Sequence, residues 1–270
     1  TGFLWGDFLR YKLIKEGEIY INVPDVKLPE EGKKFGFYNP RMKMDRDISV
    51  AMLASFVKTF KISKPQILDL MSASGIRALR YKKEVSGVVY ANDINKNCVE
   101  LIEKNAEENN LDIVIFNKDA RILSLEFEKE NRRFDFIDLD PFGTPAPYLE
   151  ACIPLCKDYT LLSITATDTP VLFGIYPEVC FKRYGFFSAK LQFYRELGTR
   201  ILLSYTILKF AKKGMASVPL LCYASMHYVK LFLLIRESEE EIEKLFSFFE
   251  TLEKFYDYLK INDEKFKNDD

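Results

Sequence analysis

Residues that bind metal ions are scarce in this chain, and their spacing excludes the common zinc sites. The 270 residues include one histidine and five cysteines, and none of them stands in a CxxC or HxxxH arrangement. Cys152 and Cys156 lie one helical turn apart, but a single pair does not complete a tetrahedral set of ligands. We therefore expect a protein without a metal.

Net charge and long apolar runs are also missing. Lys and Arg total 39 against 40 Asp and Glu, a formal net charge of −1, so contact with a polyanion must come from a local basic patch. The sequence shows no signal-peptide pattern and no uninterrupted apolar run of membrane-spanning length. With an odd number of cysteines, these absences favour an intracellular, cytoplasmic protein without membrane contact. We also expect a monomer.

Residues 65–165 alternate short apolar runs with helical patterns. Three segments have helical spacing of their apolar residues, namely IRALRYKKE, KNCVELIEKNAEENN and APYLEACIPLC. Five runs rich in branched residues predict the strands that flank them: QILDL, VVYAND, IVIFN, FDFIDLD and TLLSITAT. Such alternation predicts an α/β, Rossmann-like fold with a doubly wound, mostly parallel sheet and helices on both faces.

Two further strands complete the predicted sheet. A longer helix is expected within residues 194–213, and residues 217–224 and 227–235 predict strands with no helix between them. Strands so close in sequence must pair as a hairpin. The sheet therefore has seven strands, with an antiparallel hairpin at its edge.

Three regions are expected along the chain. Residues 1–50 are rich in Lys, with Pro and Gly turns, and we interpret them as an N-terminal arm or cap over the mouth of the sheet. Residues 51–236 form the main domain. Residues 237–270 are a C-terminal helical tail, in which Ser238 and Glu241 form a capping box. Its apolar stripe comprises Ile242, Leu245, Phe249, Leu252 and Tyr256.

Small and acidic residues follow the first two predicted strands, at the edge where open parallel sheets bind ligands. After the first strand, Asp69 precedes a turn of small residues that includes Ser72 and Gly75. Asp93 follows the second strand, 18 residues beyond Gly75, near the position where an acidic residue contacts ribose hydroxyls. Each feature also has a structural interpretation: the turn as an ordinary βα connection, and Asp93 as a helix N-cap.

Lys118, Asp119 and Ala120 follow the third strand, where they would meet the edge of an adenine. Asp119 could equally be a surface turn residue. The three strand ends together are a stronger indication than any one of them, because consecutive strands meet at one crevice.

The glycine fingerprint of dinucleotide sites is absent. The turn SASG carries one glycine, so a pyrophosphate would not reach the backbone. A nucleoside without phosphates fits better, and S-adenosylmethionine is such a ligand. Its carboxylate requires a cation, for which Arg46 and Arg77 are candidates, although Arg77 could also be a solvated surface residue.

The fourth predicted strand ends in Asp138, Asp140, Pro141, Phe142 and Gly143. Side chains alternate along a strand, so the two aspartates share a face and Asp140 lies at the tip. Hydrogen-bond acceptors on a stiff proline turn, beside a flat ring, suit a planar amine. A metal-binding pair is less favoured because hard cations usually need more carboxylates than one strand tip offers. A plain turn with an Asp cap is the structural alternative.

These segments resemble successive motifs of the Trm1 family, the tRNA guanine-N2 dimethyltransferases that act on guanine 26, between the D arm and the anticodon stem. The resemblance covers about residues 36–233 and is carried by FYNPRMKMDRD, LDLMSASGIRALRY, ANDI, FIDLDPFGTPAPYLE, TATDTPVLFGIYPEVCFKRYG, ELGTRILL and HYVKLFL. It implies a class I methyltransferase that transfers one or two methyl groups from S-adenosylmethionine to the exocyclic N2 of guanine in tRNA.

The resemblance also implies roles for individual residues. It assigns Phe37 or Tyr38 to the second face of the guanine. Target-base contacts fall to Asp140, Pro141 and Phe142. Cofactor contacts fall to Arg46, Asp69, Ser72, Gly75, Arg77, Asp93, Asp119 and Ala120.

The chain departs from the family pattern in several places. Tyr194 and Arg195 replace a Cys-His pair, and Met226 stands where many members have Asp before His-Tyr. Family members usually carry an aromatic-rich C-terminal domain, whereas about one helix follows the hairpin here. We therefore expect the tRNA-docking part to be reduced.

Two alternative functions are compatible with the motifs. One is a methyltransferase acting on another planar amine, adenine N6 or a glutamine amide; the other is a non-catalytic RNA-binding subunit. For the tRNA methyltransferase and for the RNA-binding subunit we expect a basic patch, although a run of charges is often only a solvated face. Its candidate members are Lys33, Lys34, Arg41, Lys43, Arg46, Lys182, Arg183, Lys212 and Lys213.

Overall fold

The computed structural model describes residues 4–5, 9–26, 32, 34–225 and 227–247. The helices are α1 (Lys43–Thr59), α2 (Ile76–Arg80), α3 (Lys96–Glu108), α4 (Ala120–Lys129), α5 (Ala146–Cys152), α6 (Thr169–Leu172), α7 (Pro177–Tyr184) and α8 (Tyr194–Ala211). The strands are β1 (Leu4–Trp5), β2 (Leu9–Glu16), β3 (Ile19–Pro24), β4 (Gln66–Asp69), β5 (Val88–Asn92), β6 (Val114–Phe116), β7 (Phe136–Leu139), β8 (Thr160–Ala166), β9 (Ala216–Ala224) and β10 (Val229–Arg236).

The main sheet confirms the predicted fold. Its seven strands lie in the order β6-β5-β4-β7-β8-β10-β9. Strands β4 to β8 are parallel, and β10 runs antiparallel to both β8 and β9. The hairpin folds back so that β10 lies inside the sheet and β9 forms its edge. Because β10 runs antiparallel to β8, it begins beside the carboxyl end of β8.

Side chains that alternate along the strands contribute to two hydrophobic cores, one on each face of the sheet. On one face Ile67 and Phe136 pack with residues of α1, α2 and α3. On the other face Leu68 and Ile137 pack with residues of α4, α5 and α8. Neighbouring residues of one strand thus enter opposite cores, as expected for a sheet with both faces covered.

The hairpin β2–β3 packs on helices rather than over the mouth of the sheet. Ile19 and Ile21 are buried against α2 and α3, and the buried Asn22 exchanges hydrogen bonds with Asn105 of α3. The predicted cap is formed by the segment that follows, residues 34–42, which reaches the carboxyl edge of the sheet. The expected boundary at residue 50 falls inside α1.

The C-terminal region is helical over residues 239–247. The Ser238 hydroxyl accepts a hydrogen bond from the Glu241 backbone N–H at 3.3 Å, which is half of the expected capping box. Leu245 is buried against Ile207 of α8. Other residues of the expected features lie outside the described residues: Lys33, Met226, Phe249, Leu252 and Tyr256.

Four helices lack a counterpart in the sequence predictions: α1, α4, α6 and α7. The signal for α4 is present, since Ala120, Leu123, Ser124 and Phe127 are buried at the spacing of one helical face. Helix α6 has only four residues, which is too short for a helical spacing of apolar residues to be recognised.

Candidate active site

A cavity of about 660 Å³ opens at the carboxyl edge of the sheet. Its walls come from the segments that follow β4, β5, β6, β7 and β8, from residues 34–42, and from His227, just before β10. Most of the predicted site residues line it, namely Phe37, Tyr38, Arg46, Ser72, Arg77, Asp93, Asp119, Ala120, Asp140, Pro141 and Phe142. Asp69 and Gly75 are the predicted residues that do not.

The turn after β4 is held in a tight conformation. Ala73 and Gly75 both have positive φ, +50° and +80°, and the Ser72 N–H donates to the Asn92 carbonyl at 2.8 Å. A Cβ on Gly75 would lie 3.0 Å from Ile102 of α3. Gly75 therefore allows the turn and its close packing on α3, while Ser72 and Ala73 form the cavity wall.

Asp93 binds this turn to the next one. Its carboxylate accepts hydrogen bonds from the Ala73 N–H at 2.9 Å and the Asn95 N–H at 2.8 Å. Burial raises the pKa of Asp93, although both N–H groups oppose that shift. The N-cap of α3 is Asn95, so the interpretation of Asp93 as a helix cap is wrong. The Cys98 side chain is a third hydrogen-bonding neighbour of this carboxylate, and the remaining acceptor capacity is available to a ligand in the cavity.

Asn92 joins three strand ends and was missed by the sequence predictions. The Asn92 side chain donates to the carbonyls of Leu70 and Lys118, at 3.1 and 3.0 Å. Its oxygen accepts from the Lys118 N–H at 3.1 Å. A buried amide at the end of a central strand is the sequence signal that indicates such a role.

Asp119 is both a cavity residue and the N-cap of α4. Its carboxylate accepts from the Arg121 N–H at 2.8 Å and forms an ion pair with the Arg121 guanidinium at 2.8 Å. The hydrogen bond from the Arg121 side chain lowers the pKa of Asp119 to about 2. A carboxylate fixed in this way at a helix N-terminus stays charged.

Asp69 lies beneath the cavity rather than in its wall. Its side chain has no exposed surface, and neither carboxylate oxygen has a hydrogen-bond partner among the described residues. Burial, followed by the charge of Asp138 on the neighbouring strand, raises the pKa of Asp69 to about 8. Direct contact between Asp69 and a cofactor remains a prediction.

Arg46 is held by the N-terminal hairpin. Its guanidinium donates to both carboxylate oxygens of Glu16, each at 2.6 Å, and to the Asn39 carbonyl at 3.1 Å. It lies 4.9 Å from the centre of the Tyr38 ring, whose hydroxyl also donates to Glu16. Burial and the charge of Glu16 raise the pKa of Tyr38 to about 12. This cluster fixes residues 38–46 in the cavity wall.

Arg77 is the centre of a buried acidic cluster. Its Nη2 contacts the carboxylates of Asp45 and, at 2.9 Å, Asp140, while its Nη1 lies 3.8 Å from Asp138. Burial alone would lower the pKa of Arg77, but Asp45 and the other carboxylates hold it well above its ordinary value. Lys230 adds a second buried cation, 3.3 Å from Asp138. Arg77 is therefore not a solvated surface arginine.

Asp140 and Phe142 line the cavity where β7 ends. Asp93 and Asp119 line it where β5 and β6 end, on the other side of the central strand β4. The Asp140 side chain is 18% exposed, and Phe142 is 57% exposed. Phe37 approaches Phe142 edge to face, with ring centroids 5.0 Å apart at 87°. Of the two predicted aromatic partners, Phe37 is thus the one beside Phe142, because Tyr38 is turned toward Glu16 and Arg46.

The turn after Asp140 is anchored by the strand beside it. Gly143, at φ +84°, donates its N–H to the Thr167 hydroxyl at 2.7 Å and accepts from the Thr167 N–H at 2.8 Å. The Thr144 hydroxyl lies 2.6 Å from that of Tyr184, which also donates to Asp168. Arg183 pairs with Asp168 at 2.6 Å. The TATDT segment therefore fixes the position of Pro141 and Phe142.

Metal-binding groups and membrane-spanning helices are both absent from the described residues. In the part of the chain that the structure describes, no group of three or more His, Cys, Asp or Glu side chains could hold a metal ion. Over the same residues, no helix combines the length and apolar character that a membrane crossing needs.

Comparison with known proteins identifies the family. Residues 17–265 match the family described as N2,N2-dimethylguanosine tRNA methyltransferase. The chain belongs to this family. Relatives include the tRNA (guanine(26)-N(2)/guanine(27)-N(2))-dimethyltransferase of Aquifex aeolicus, 37% identical over 87% of this chain and 60% of the relative. The tRNA (guanine(26)-N(2))-dimethyltransferase of Methanocaldococcus jannaschii is 38% identical over 87% of this chain and 63% of the relative. The resemblance to the Trm1 family is thus confirmed.

Solved structures agree with this assignment. Trm1 from Pyrococcus horikoshii, determined in complex with S-adenosyl-L-methionine, has a TM-score of 0.75 and 30% identity, covering 86% of this chain and 63% of that one. Trm5b from Pyrococcus abyssi has a TM-score of 0.55 at 16% identity, covering 87% and 62%, and shares the fold. The chain spans about 60% of the length of the curated relatives it matches.

Proposed function

We propose that this protein transfers one or two methyl groups from S-adenosylmethionine to the exocyclic N2 of guanine 26 in tRNA. The observation that carries the proposal is that Asp140, Pro141 and Phe142 face the same cavity as Asp93 and Asp119. The names of the relatives at 37 and 38% identity support the choice of guanine N2.

The residues of the β4, β5 and β6 ends fit an adenosine. Asp93 offers two carboxylate oxygens toward ribose hydroxyls, and the N-terminus of α4 at Asp119 and Ala120 offers polar groups for an adenine edge. The volume of about 660 Å³ lies within the roughly 300 to 1,000 Å³ common for ligand sites. Bound there, S-adenosylmethionine would supply an electrophilic methyl group on a sulfonium.

Asp140 and the Pro141 carbonyl prepare the guanine amine. The lone pair of N2 is delocalised into the ring, and acceptors for its two N–H groups turn that pair toward the methyl carbon. An N–C bond forms, the S–C bond breaks with its electrons going to sulfur, and N2 releases one proton to the Asp140 carboxylate. Positioning two partners contributes up to about 7 to 11 kcal/mol to lowering such barriers, and the remaining N–H permits a second round.

Phe142 and Phe37 would hold the extruded base. Taking a base out of its stack costs a few kcal/mol, and stacking on an aromatic face returns about 1 to 3 kcal/mol. Phe142 is exposed enough to offer ring surface to the base, and Phe37, in edge contact with Phe142, would border the base rather than cover its second face.

A labelled-methyl assay tests the proposal. The full chain is incubated with unmodified tRNA and labelled S-adenosylmethionine, and the nucleosides are identified by mass spectrometry. We expect N2-methylguanosine or N2,N2-dimethylguanosine at position 26, lost when guanine 26 is replaced by adenine. Label in N6-methyladenosine or in a glutamine residue, or no label at all, would favour the alternative functions.

The proposal includes a monomeric, cytoplasmic enzyme that acts on tRNA, the substrate named for the relatives. Size-exclusion chromatography with light scattering checks the monomer.

A further inference from the structure

His227, the one histidine of the chain, lies on the side of the cavity that Asp140 and Phe142 line, the target side. Strand β10 runs antiparallel to β8, and Val229 pairs with Ala166. The residues just before β10 therefore lie beside those just after β8. His227 thus stands near Thr167, which anchors Gly143 next to Phe142, and both His227 and Thr167 line the cavity.

The imidazole of His227 has an orphan nitrogen. Its Nε2 is buried and has no hydrogen-bond partner among the described residues, and its ring packs edge-on against Tyr228, with centroids 5.2 Å apart. A buried ring nitrogen without a partner is costly. Such exceptions occur at positions where catalysis or a ligand supplies the missing contact.

We propose that the His227 ring turns when tRNA binds, so that Nε2, which has almost no accessible surface in the free chain, hydrogen-bonds the N1–H or O6 of the target guanine and selects guanine over other purines. This inference rests on the proposed function. Asp140 and the Pro141 carbonyl would accept the two hydrogens of any planar amine, including adenine N6. A further polar group on the same side of the cavity can read the atoms next to the amine, where guanine differs from adenine.

The variants separate a contact made by Nε2 from a structural role. His227→Gln places an amide near the position of Nε2, whereas His227→Asn reaches only as far as Nδ1. We expect H227N to lower kcat/KM for tRNA by about 10-fold or more, because an unpaired polar group at a recognition site lowers it selectively. We expect H227Q to stay within about 3-fold of wild type. The affinity for S-adenosylmethionine, measured by calorimetry, should stay unchanged in both.

A second substrate identifies the contacted atoms. Transfer RNA carrying 2-aminopurine at position 26 keeps the 2-amino group but lacks both O6 and N1–H. If His227 contacts those atoms, the loss caused by H227N should largely disappear on this substrate. The comparison forms a double-mutant cycle, so differences in amine reactivity between the two bases cancel.

Three outcomes would overturn the inference. One is H227N activity on guanine equal to wild type; another is the same loss on guanine and 2-aminopurine. Parallel losses of melting temperature and of cofactor affinity in both variants would instead assign His227 a structural role. A wild-type chain that methylates no guanine would overturn the proposed function itself, and the inference with it.

Discussion

At the residue scale, Arg77 makes contacts that no lysine could reproduce. Its guanidinium spans Asp45 and Asp140 and also donates to the Ser49 hydroxyl at 3.1 Å. A lysine ammonium is a point charge and cannot hold several carboxylates in a fixed plane. Arg77 therefore positions Asp140, the proposed acceptor of the amine hydrogens.

We predict that Arg77→Lys lowers single-turnover methyl transfer by about 10- to 100-fold, a range expected when a reacting group is misplaced by about 1 Å. Arg236→Lys is the control, because Arg236 is a partly buried arginine that pairs with Asp158 at the end of β10 away from the cavity. R236K should leave the transfer rate near wild type. Equal effects of both variants on transfer would contradict the role of Arg77.

Asp69 provides a pH-dependent test at the same scale. Burial and Asp138 raise its pKa to about 8 from an ordinary 3.8. Between these values the folded protein keeps a proton that the unfolded chain has lost, so stability falls with rising pH. The contribution of Asp69 is fully present below about pH 4 and is lost as the pH rises through about 8.

We predict that Asp69→Asn gains stability relative to wild type as the pH rises, because the amide stays neutral. The difference in melting temperature between D69N and wild type should increase by several degrees from about pH 5 to about pH 9, at roughly 2 to 4 °C per kcal/mol. Melting curves over this range, with Asp112→Asn as an exposed control, check the prediction. A difference that is flat with pH would show that Asp69 is charged when folded.

At the scale of elements, the turn that carries Phe142 is stabilised from outside its own strand. The Tyr184 hydroxyl of α7 connects Thr144 to Asp168, and Thr167 binds Gly143. Helix α7 therefore supports the target side of the cavity, although Tyr184 itself does not line it.

We predict that Tyr184→Phe lowers methyl transfer by about 10-fold, because losing the hydroxyl loosens the turn and misplaces Pro141 and Phe142. Cofactor affinity should remain unchanged. Tyr205→Phe is the control, since its ring packs edge-on against that of Tyr184 but its hydroxyl does not reach the turn. A Y184F variant with wild-type transfer would show that the turn keeps its shape without α7.

The sequence predicted helices and strands best where a single spacing of apolar residues dominated a segment. The strands of residues 65–165 are short branched runs, and each is present. Four of them are buried almost throughout, whereas β6, at the end of the strand order, is partly exposed. Helix α4 shows the limit: its apolar residues Leu123 and Phe127 are interspersed with charged ones, and no helix was predicted there. The position of β10 inside the sheet depends on pairing with β8, which lies far away in sequence.

The residues of the candidate site were also predictable where the signal is local and unpredictable where it depends on contacts between distant segments. Asp93, Asp119 and Asp140 were predicted to meet because carboxyl ends of parallel strands share one edge. The contact of Arg77 with Asp45 and Asp140 joins residues from three distant segments, and no local pattern encodes it. The pairing of Arg46 with Glu16 of the hairpin was unpredictable for the same reason.

At the scale of the whole molecule, the basic patch is smaller than the sequence predicted. Arg46 is buried against Glu16, Arg183 pairs with Asp168, and Lys43 pairs with Asp47. Six candidates among the described residues are exposed: Lys34, Arg41, Lys43, Lys182, Lys212 and Lys213. Of these, Lys34 lines the cavity, and Arg41 is next to the cavity residue Met42.

We predict that the double variant Lys34→Ala/Arg41→Ala weakens tRNA binding and lowers the magnitude of the slope of log K against log salt by about 1.4 to 1.8, since each phosphate contact contributes about 0.7 to 0.9. Filter binding between 50 and 200 mM salt, a range in which such slopes are resolved, measures it. Lys58→Ala/Lys64→Ala is the matched control, because these exposed lysines lie near the start of β4, at the opposite edge of the sheet. Equal slopes for both double variants would place the RNA elsewhere.

The most direct test of the proposed reaction is to measure methyl transfer and cofactor binding together in Asp140→Asn. Single-turnover transfer to tRNA and the calorimetric Kd for S-adenosylmethionine report the two sides of the cavity separately. If the tip of β7 accepts the amine hydrogens, transfer should fall by about 100- to 1,000-fold, as when one preorganised hydrogen-bonding group is removed, with the Kd within about 3-fold of wild type. Transfer near the wild-type rate, or a Kd that rises in parallel with the loss of transfer, would contradict it.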